Sequence, residues 1–471
     1  MQPIVTISGL RGVVGETFEV PAMRYIAAFL SYLSELKLRS TNKIVVCCDG
    51  RPSGFQFSGA FCNLIREKGF EPIFFGVQPT PTAGYLTKFI HAAGGIQITA
   101  SHNPSQYNGV KLFDCTGRVI SGPIGKTVLE RYRLGNREQG IGNSNSPEAN
   151  LNTTPYSLLP TPSTPEPVNE IVSPFEHLRA VCKTIRVGDV ESKGYRVLLD
   201  SNNGSGSRLG RRLLESLGCE VVVLGDKLNG EFLHTPEPIA ENLAQVGAEV
   251  VKNKCDIGFC QDPDADRLAI IDANGRYIGE EYTVPFCVQY ALKKRHGNVV
   301  INCATSQMTE DICSQNGRIC LRSAVGEANV VDLMISSKAV YGGEGNGGPI
   351  DPEVGYVRDS FVGMAQVLAL MARENKSVAQ LVEEIKPYSI VKTKLPFPTE
   401  HLSKLYEMVR ERFPQATVET NDGLRLSWNG TWLLVRPSNT EPVIRAIAEA
   451  PDLTQAEHLC SQVKEITEKF E

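Results

Sequence analysis

The feature that most constrains the fold is a repeated alternation of short β-branched runs with amphipathic helical segments. Apolar residues recur at helical spacing from Pro21 to Leu38, and a strand-like run follows at Lys43–Cys48. The same order returns around the runs Arg196–Asp200 and Asn298–Cys303. Such alternation is typical of βαβ units on a parallel sheet. Because 471 residues exceed what one hydrophobic core can hold, we predict three similar α/β units in this part of the chain.

The pattern changes after Pro387. Strand-like runs follow one another with short turns, from Ala416–Thr420 to Val443–Glu449, which indicates antiparallel strands in a smaller α+β domain. A segment rich in Pro, Ser, Thr and Asn cannot bury a core, so residues 138–171 are predicted to be a flexible linker or an inserted loop. The predicted domains are 1–137, 172–275 and 276–387, all α/β, and 388–471, which is α+β.

A polar loop at residues 99–104 is the first candidate for chemistry. A strand-like run delivers Ser101 into this loop, next to His102, and the following apolar run carries Lys111 away from it. A turn dipeptide, Asn108-Gly109, allows these three side chains to converge. Catalytic groups are common on loops of this kind. An ordinary turn rich in Ser and Asn is the alternative that these residues alone leave open.

The second candidate is an acidic run. The carboxylates of Asp262, Asp264 and Asp266 stand at positions i, i+2 and i+4, where they repel one another unless a cation lies among them. Hard oxygen ligands select magnesium or calcium. An EF-hand would require glycine in place of Arg267 and glutamate in place of Ala273, so that type of calcium site is excluded. A solvated acidic turn is the alternative.

Four loops of this chain, in order, resemble the functional loops of the α-D-phosphohexomutase family, which includes phosphoglucomutase, phosphomannomutase and phosphoglucosamine mutase. Thr-Ala-Ser-His-Asn-Pro at 99–104 is similar to the phosphoserine loop, and Asp-Pro-Asp-Ala-Asp-Arg at 262–267 to the metal loop. Gly-Glu-Gly-Asn-Gly-Gly at 343–348 is similar to the sugar loop, and Arg-Pro-Ser-Asn-Thr-Glu-Pro at 436–442 to the phosphate loop. The resemblance spans nearly the whole chain and implies four domains around a central cleft.

The resemblance implies an isomerase that interconverts hexose 6-phosphate and hexose 1-phosphate, with glucosamine or mannose phosphate as the expected substrate. Ser101 is expected to carry a phosphate and, with Asp262, Asp264 and Asp266, to hold Mg²⁺. A hexose 1,6-bisphosphate is the expected activator, because it would phosphorylate the serine. The reaction would then run in two halves through a bisphosphate intermediate.

The same resemblance assigns the other site residues. Lys111 and His102 are candidates for moving the hydroxyl proton, with simple pairing of Lys111 to the phosphate as the alternative. Arg11, in a glycine-punctuated loop at Ser8–Gly15, is expected near the phosphoserine, and Arg267 is expected to shape the electric field. Glu344 and Asn346 are expected at the sugar O3 and O4 hydroxyls. The expected donors to the other phosphate are Arg436, Ser438, Asn439 and Thr440.

Several positions depart from the family pattern and leave the preferred sugar open. Asn346 stands where many members have serine, and Gly348 where some have histidine. Ala324 and Glu327 stand where some mannose- and glucose-active members carry basic residues. The alternatives are therefore a glucose-phosphate mutase or a metal-dependent sugar phosphatase, in which water takes the phosphate from Ser101.

Composition argues against several partners. A formal net charge of −5 offers no broad basic field for nucleic acid or an anionic membrane surface. Residues Met1–Val5 lack the pattern of a signal peptide, and no apolar run is long enough to span a bilayer. The 13 cysteines include no C-x-x-C pair and are typical of free thiols in a reducing cytosol, so we expect a cytoplasmic location. The sequence does not indicate an oligomeric state.

Overall fold

A computed structural model describes residues 2–7, 9–36, 41–141, 173–438 and 443–470, with the backbone alone for 136–141. Most of the predicted linker at 138–171 lies outside the described residues, and the helix before it continues to Ile141. Within the described residues the strands form four sheets, which define three α/β units and a C-terminal unit. This architecture confirms the predicted fold class.

The first unit has a six-stranded sheet. Its elements are β1 (Ile4–Thr6), β2 (Gly9–Val13), α1 (Glu19–Glu35), β3 (Lys43–Cys48), α2 (Pro52–Glu67), β4 (Glu71–Val77), α3 (Thr80–Phe89), β5 (Gly94–Ile98), β6 (Tyr107–Asp114) and α4 (Gly122–Ile141). The strand order is β1-β2-β6-β5-β3-β4. β5, β3 and β4 are parallel, and β6 returns antiparallel to β5.

The second unit has a five-stranded sheet. Its elements are α5 (Phe175–Lys183), α6 (Val187–Glu191), β7 (Arg196–Asp200), α7 (Ser207–Ser216), β8 (Glu220–Leu224), α8 (Ala240–Lys252), β9 (Ile257–Gln261), β10 (Leu268–Asp272) and β11 (Tyr277–Gly279). The strand order is β11-β10-β9-β7-β8. β9 and β8 are parallel to β7, and β10 returns antiparallel to β9.

The third unit has a four-stranded sheet with the order β13-β12-β14-β15, formed by β12 (Val299–Asn302), β13 (Cys320–Ser323), β14 (Tyr341–Glu344) and β15 (Gly348–Ile350). Its helices are α9 (Thr283–Leu292), α10 (Met308–Gln315), α11 (Glu327–Ser337), α12 (Ser360–Glu374) and α13 (Val378–Glu383). β13 and β14 are parallel to β12, and β15 returns antiparallel to β14.

The C-terminal unit is a fully antiparallel five-stranded sheet covered by two α-helices. Its elements are β16 (Ser389–Pro396), α14 (Leu402–Arg412), β17 (Thr417–Glu419), β18 (Leu424–Trp428), β19 (Thr431–Pro437), β20 (Val443–Ala450) and α15 (Leu453–Thr467), with 3₁₀ turns at Thr399–His401 and Glu468–Phe470. The strand order is β16-β20-β19-β18-β17, and every pairing is antiparallel.

The three α/β sheets are mixed, whereas the sequence predicted parallel sheets. In each of them, the strand after the last parallel strand folds back as its antiparallel neighbour. An antiparallel return needs only a short connection, whereas a parallel crossover needs a dozen or more residues. As a result, the short loops 99–106, 262–267 and 345–347 lie at the carboxyl ends of parallel strands.

The glycine-rich segment around Arg11 forms strand β2 rather than the predicted loop. A β-carbon on Gly12 would lie 2.6 Å from the carbonyl oxygen of Thr17, and one on Gly9 would lie 2.6 Å from that of Val110. These glycines therefore permit a close approach of neighbouring backbone, a common use of glycine in strands. Arg11 is held by the pairing of β2 with β6.

Helix α12 is the centre of the largest hydrophobic core. Its residues from Ser360 to Ala372 are all buried, as expected for a helix that is apolar on every side. It packs against α5, α6 and α7 of the second unit and against α9 of the third. The second and third units therefore share one core, whereas the first and C-terminal units each have their own.

A buried histidine connects three units at the start of α12. Asp359 caps this helix, since its Oδ1 accepts hydrogen bonds from the backbone of Phe361 and Val362. Its Oδ2 lies 2.8 Å from Nε2 of His177 in α5, and Nδ1 of the same ring lies 2.9 Å from the hydroxyl of Thr82 in α3. No part of His177 is exposed to solvent.

We expect His177→Leu to lower the free energy of unfolding by about 2 kcal/mol, because the exchange leaves buried polar groups on Thr82 and Asp359 without their partner. Chemical denaturation followed by circular dichroism measures this change. The graded control is Thr82→Val, which removes one of the two contacts and should cost about half as much. A His177→Leu protein as stable as the parent would contradict this role.

Candidate active site

The four loops predicted from the sequence line one cleft. Its volume is about 760 Å³, and all four units contribute to its wall. The predicted site residues on this wall are Arg11, His102, Lys111, Arg267, Glu344, Asn346, Arg436 and Ser438. Asn439 and Thr440 lie outside the described residues. The structure therefore brings together side chains that are more than 400 positions apart in the sequence.

Ser101 occupies a strained and well-supported position. Its φ of 53° lies in the left-handed region, which is unfavourable for residues other than glycine. Its backbone N–H donates to the hydroxyl of Thr99 at 2.8 Å. The guanidinium of Arg51 donates to the backbone carbonyls of Ser101 and Asn103. These contacts fix the loop and hold the serine side chain toward the second unit.

Arg51 is a supporting residue that the sequence analysis missed. It is fully buried and pairs with Asp49 at 2.8 Å. The centre of the Phe232 ring, from the second unit, lies 5.0 Å from the guanidinium carbon of Arg51. The available signal in the sequence was that a charged pair, Asp49 and Arg51, directly follows the apolar strand β3. Charged residues next to a buried strand are rarely buried themselves without a structural reason.

The serine hydroxyl lies next to the acidic loop. Ser101 Oγ donates to Oδ2 of Asp262 at 3.0 Å, and Nδ1 of His102 lies 3.3 Å away. Arg267 and burial lower the pKa of His102 well below its usual value, so the ring is neutral near pH 7. The hydroxyl therefore has a carboxylate on one side and a neutral imidazole on the other.

Three buried aspartates form a set that fits a metal ion. One carboxylate oxygen from each of Asp262, Asp264 and Asp266 lies within 4.8 Å of the others. Within the described parts of the chain, Oδ1 of Asp264 and Oδ1 of Asp266 have no hydrogen-bond partner although both are buried. Burial and the two neighbouring carboxylates raise the pKa of Asp262 well above its usual value. Repulsion of this kind is relieved by a divalent cation, and oxygen-only donors suit Mg²⁺ or Ca²⁺.

Lys111 reaches the same acidic loop from the first unit. Its Nζ donates to Oδ2 of Asp264 and to Oδ2 of Asp266, at 2.6 Å each. Burial opposes the ammonium form, but the two carboxylates outweigh it and hold the pKa of Lys111 above its usual value. In this arrangement Lys111 is a cation that neutralises the acidic loop, and Ser101 has its own neighbours in Asp262 and His102.

Two arginines complete the basic side of the cleft. Nη1 of Arg11 donates to the side-chain carbonyl of Asn103 in the serine loop at 2.9 Å. Nε of Arg267 lies 4.0 Å from carboxylate oxygens of both Asp262 and Asp266. Both guanidinium groups line the cleft, where they can neutralise an anionic substrate.

The sugar loop presents a carboxylate and an amide. Oε1 of Glu344 accepts from Asn302 at 2.8 Å and from the backbone N–H of Gly326 at 3.1 Å. Oε2 of Glu344 lies 3.1 Å from Nη1 of Arg358. The carbonyl oxygen of the Asn346 side chain is buried and has no hydrogen-bond partner among the described residues. Because Asn346 lines the cleft, a rotation of its side chain would present this unsatisfied acceptor to a ligand hydroxyl.

The phosphate loop begins with a buried arginine. Arg436, at the end of β19, is 6% exposed, and its Nε lies 2.9 Å from Oδ2 of Asp422. The same oxygen of Asp422 accepts from the backbone N–H of Val325 in the third unit at 2.9 Å. Asp422, which sequence reasoning missed, therefore orients Arg436 and links two units.

Family models match the chain from end to end, and in order. The phosphoglucomutase/phosphomannomutase alpha/beta/alpha domains I, II and III match residues 4–137, 175–275 and 280–388, and the C-terminal domain of the same family matches 397–466.

Known proteins are similar over nearly their whole length. The phosphoglucosamine/phosphogalactosamine mutase of Sulfurisphaera tokodaii is 31% identical over 91% of this chain and 91% of its own length. The phosphoglucomutase/phosphomannomutase of Thermococcus kodakarensis is 30% identical over 94% of this chain and 93% of its own. A phosphoglucomutase/phosphomannomutase family protein of Burkholderia thailandensis has the same fold, with a TM-score of 0.79, 24% identity and coverage of 98% of this chain and 96% of that one.

These matches define an isomerase of the phosphohexomutase class. The chain belongs to the phosphoglucomutase/phosphomannomutase family, the α-D-phosphohexomutases. The family inferred from the four loops is thereby confirmed. Among the described residues, no helix combines the length and the apolar character that crossing a membrane requires.

Asp264→Asn should weaken Mg²⁺ binding by about tenfold or more, because it removes one of the three converging carboxylates. Isothermal titration calorimetry with MgCl₂ measures this affinity without reference to turnover. Asp189→Asn, at an exposed position on α6, is the control and should bind Mg²⁺ as the parent does. Equal Mg²⁺ affinity in the parent and in Asp264→Asn would argue against a metal site at the acidic loop.

Proposed function

We propose that the protein interconverts hexose 6-phosphate and hexose 1-phosphate through a phosphorylated Ser101 and a hexose bisphosphate. The observation that carries this proposal is the position of Ser101. Its hydroxyl lies 3.0 Å from Asp262 of the acidic loop, and the next residue, His102, lines the cleft that the sugar and phosphate loops also line. No other serine of the described chain combines a left-handed backbone with such a setting.

Catalysis of phosphoryl transfer depends mainly on positioning the reactants and neutralising charge. In this proposal, different residues of the chain perform these two tasks. Asp262, Asp264 and Asp266, with Ser101, would hold Mg²⁺, which would withdraw charge from the phosphoryl group when bound. Arg11 and Arg267 would neutralise the remaining negative charge of that group. Either His102 or Lys111 would move the hydroxyl proton; His102 is closer to Ser101 Oγ, whereas Lys111 contacts the acidic loop.

Substrate binding would use the third and C-terminal units. Glu344 and the side-chain oxygen of Asn346, which has no partner in the part of the chain that the structure describes, would bind the O3 and O4 hydroxyls of the sugar. The phosphate that is not transferred would lie at Arg436 and Ser438, with Asn439 and Thr440 as further donors. Because O3 and O4 are presented almost unchanged when the sugar turns over, one site could hold both the 1-phosphate and the 6-phosphate.

Glucosamine or mannose phosphate is the proposed substrate, and a hexose 1,6-bisphosphate the proposed activator. The names of the relatives, which refer to glucosamine, galactosamine, glucose and mannose, agree with a hexose phosphate but do not select one. Glu344 and Asn346 face O3 and O4 in this proposal, so they do not discriminate at C2, where glucosamine, mannose and glucose differ.

Ser101→Ala should reduce mutase turnover by about 10³-fold or more, because the group that receives and returns the phosphate is absent. A coupled assay of 1-phosphate formation measures this loss. Ser105→Ala, on the exposed part of the same loop, is the matched control and should retain the parent's rate. Near-normal turnover by a folded Ser101→Ala protein would disprove the assignment of the nucleophile.

Phosphorus NMR can test the reaction and the sugar together. The protein is mixed with MgCl₂, a trace of glucose 1,6-bisphosphate and, in turn, the 6-phosphates of glucosamine, mannose and glucose. We expect a 1-phosphate signal to grow without inorganic phosphate, and to grow fastest with glucosamine or mannose. If inorganic phosphate alone appears, Ser101 serves hydrolysis and the protein is a sugar phosphatase. If glucose 6-phosphate reacts fastest, the proposed sugar is wrong and the mutase reaction stands.

A further inference from the structure

Arg358 lies directly before α12 and contacts three carboxylates from three different elements. Its Nη2 donates to Oδ2 of Asp266 in the acidic loop at 2.7 Å, and its Nη1 lies 3.1 Å from Oε2 of Glu344 in the sugar loop. Its Nε donates to Oε2 of Glu327 at 3.3 Å, and its backbone N–H donates to Oε1 of the same residue at 2.9 Å. The side chain is 9% exposed, so nearly all of this charge is shielded from water.

Two departures from the family pattern lie against this single side chain. A β-carbon on Gly348 would lie 2.4 Å from Cδ and 2.8 Å from Cγ of Arg358, closer than real β-carbons come to other atoms. Glycine at this position therefore makes room for the arginine. Glu327, the second departure, is the carboxylate that holds the Nε edge of the guanidinium. The three residues form one packed and charge-matched group.

The carboxylate of Glu344 depends on this group for one of its two oxygens. Oε1 is held by Asn302 and by the backbone of Gly326. Oε2, the other oxygen, faces Arg358. Without the guanidinium, the buried carboxylates of Glu344, Asp266 and Glu327 would repel one another in a poorly solvated space. Glu344 would then turn away from the position it has here.

We infer that Arg358 is a positioning residue for phosphoryl transfer, which fixes the sugar-binding carboxylate of Glu344 relative to Asp266 of the acidic loop. The inference rests on the proposed function, since it gives Glu344 the sugar and Asp266 the metal. A planar guanidinium can bridge two carboxylates at a set distance and angle, which the single point charge of lysine cannot do. The spacing between the sugar and the reacting phosphate therefore depends on the shape of Arg358 as well as on its charge.

The first test is Gly348→Ala, which leaves every charge in place and pushes the Arg358 side chain aside. We expect KM and the calorimetric Kd for glucosamine 6-phosphate or mannose 6-phosphate to rise about tenfold and kcat to fall about tenfold, because small misplacements of a bound substrate are costly in rate. Mg²⁺ affinity should stay within about threefold of the parent value, since the three aspartates are unchanged. Gly355→Ala is the matched control, because a β-carbon there would have no atom of the described residues within 4 Å.

The second test is Arg358→Lys, which keeps the charge and removes the planar fork. We expect the same rise in KM and Kd for the sugar phosphate. The control is Arg276→Lys, the same exchange at a half-exposed arginine that pairs with the buried Asp272, which should leave both constants unchanged. A purely structural role for Arg358 would lower the midpoint of thermal unfolding and the active fraction while KM and Kd stayed at the parent values.

The outcomes separate this inference from the proposed function. If the parent protein produces no hexose 1-phosphate, the proposed function fails whatever the variants do. If the parent is active and both variants keep the parent's KM and Kd, Arg358 does not position Glu344 and the inference is wrong. It is also wrong if Mg²⁺ affinity changes while sugar-phosphate affinity does not, because Arg358 would then serve the acidic loop alone.

Discussion

The structure of the site depends on the neutralisation of buried negative charge. Asp262, Asp264 and Asp266 are all fully buried, and isolated carboxylates in such surroundings are strongly unfavourable. Arg267 of the same loop lies 4.0 Å from Asp262 and Asp266, but the closest counter-charges of Asp264 and Asp266 come from other units. Lys111 lies on β6 of the first unit, and Arg358 lies before α12 of the third. Removing one partner of a buried ion pair typically costs about 3–5 kcal/mol. Charge pairing therefore makes the acidic loop the point at which three units must meet.

The topology explains why the loops can meet there. In each α/β unit, the chain leaves the last parallel strand and returns antiparallel, so the loop between them lies at the carboxyl edge of the sheet. The phosphate loop lies in the antiparallel return from β19 to β20. Short returns keep the loops of the three α/β units close to rigid strands, which helps to hold their side chains in place. The shared core around α12 fixes the second and third units, and His177 ties the first unit to them.

Sequence alone predicted those parts of the molecule that have a local signal. The strands Lys43–Cys48 and Arg196–Asp200 were predicted at their observed bounds, because each is a short apolar run, which in the first is rich in β-branched residues. The sequence analysis did not predict helix α8. The signal for it was present, because its buried residues recur at helical spacing. The antiparallel returns were not predicted, because the direction of a strand depends on its partner rather than on its own residues.

Arg51 had a local signal in its neighbour Asp49, but the tertiary contacts of the supporting side chains were beyond local reasoning. Arg51, Arg358 and Asp422 act through partners far away in the sequence; Arg358 and Asp266, for example, are separated by 92 residues. A lone arginine beside a helix is usually a solvated charge, and only the folded structure shows three carboxylates around it. By contrast, Ser101 and the three aspartates could be predicted as site residues because each of their two short segments groups several reactive side chains. A cluster of reactive side chains in one segment therefore indicates a site more strongly than a single residue does.

The turn at residues 325 and 326 shows how the two units proposed to bind the substrate are held together. The backbone N–H of Val325 donates to Asp422, which lies beside Arg436 of the phosphate loop, and the next N–H, that of Gly326, donates to Glu344 of the sugar loop. Two adjacent peptide groups therefore set the separation between the two loops. The proposed reaction requires such a fixed separation. The protein must bind the same sugar hydroxyls, and the same phosphate subsite must be filled, before and after the sugar turns over. A change in this spacing would favour one orientation of the sugar and slow the other half of the reaction.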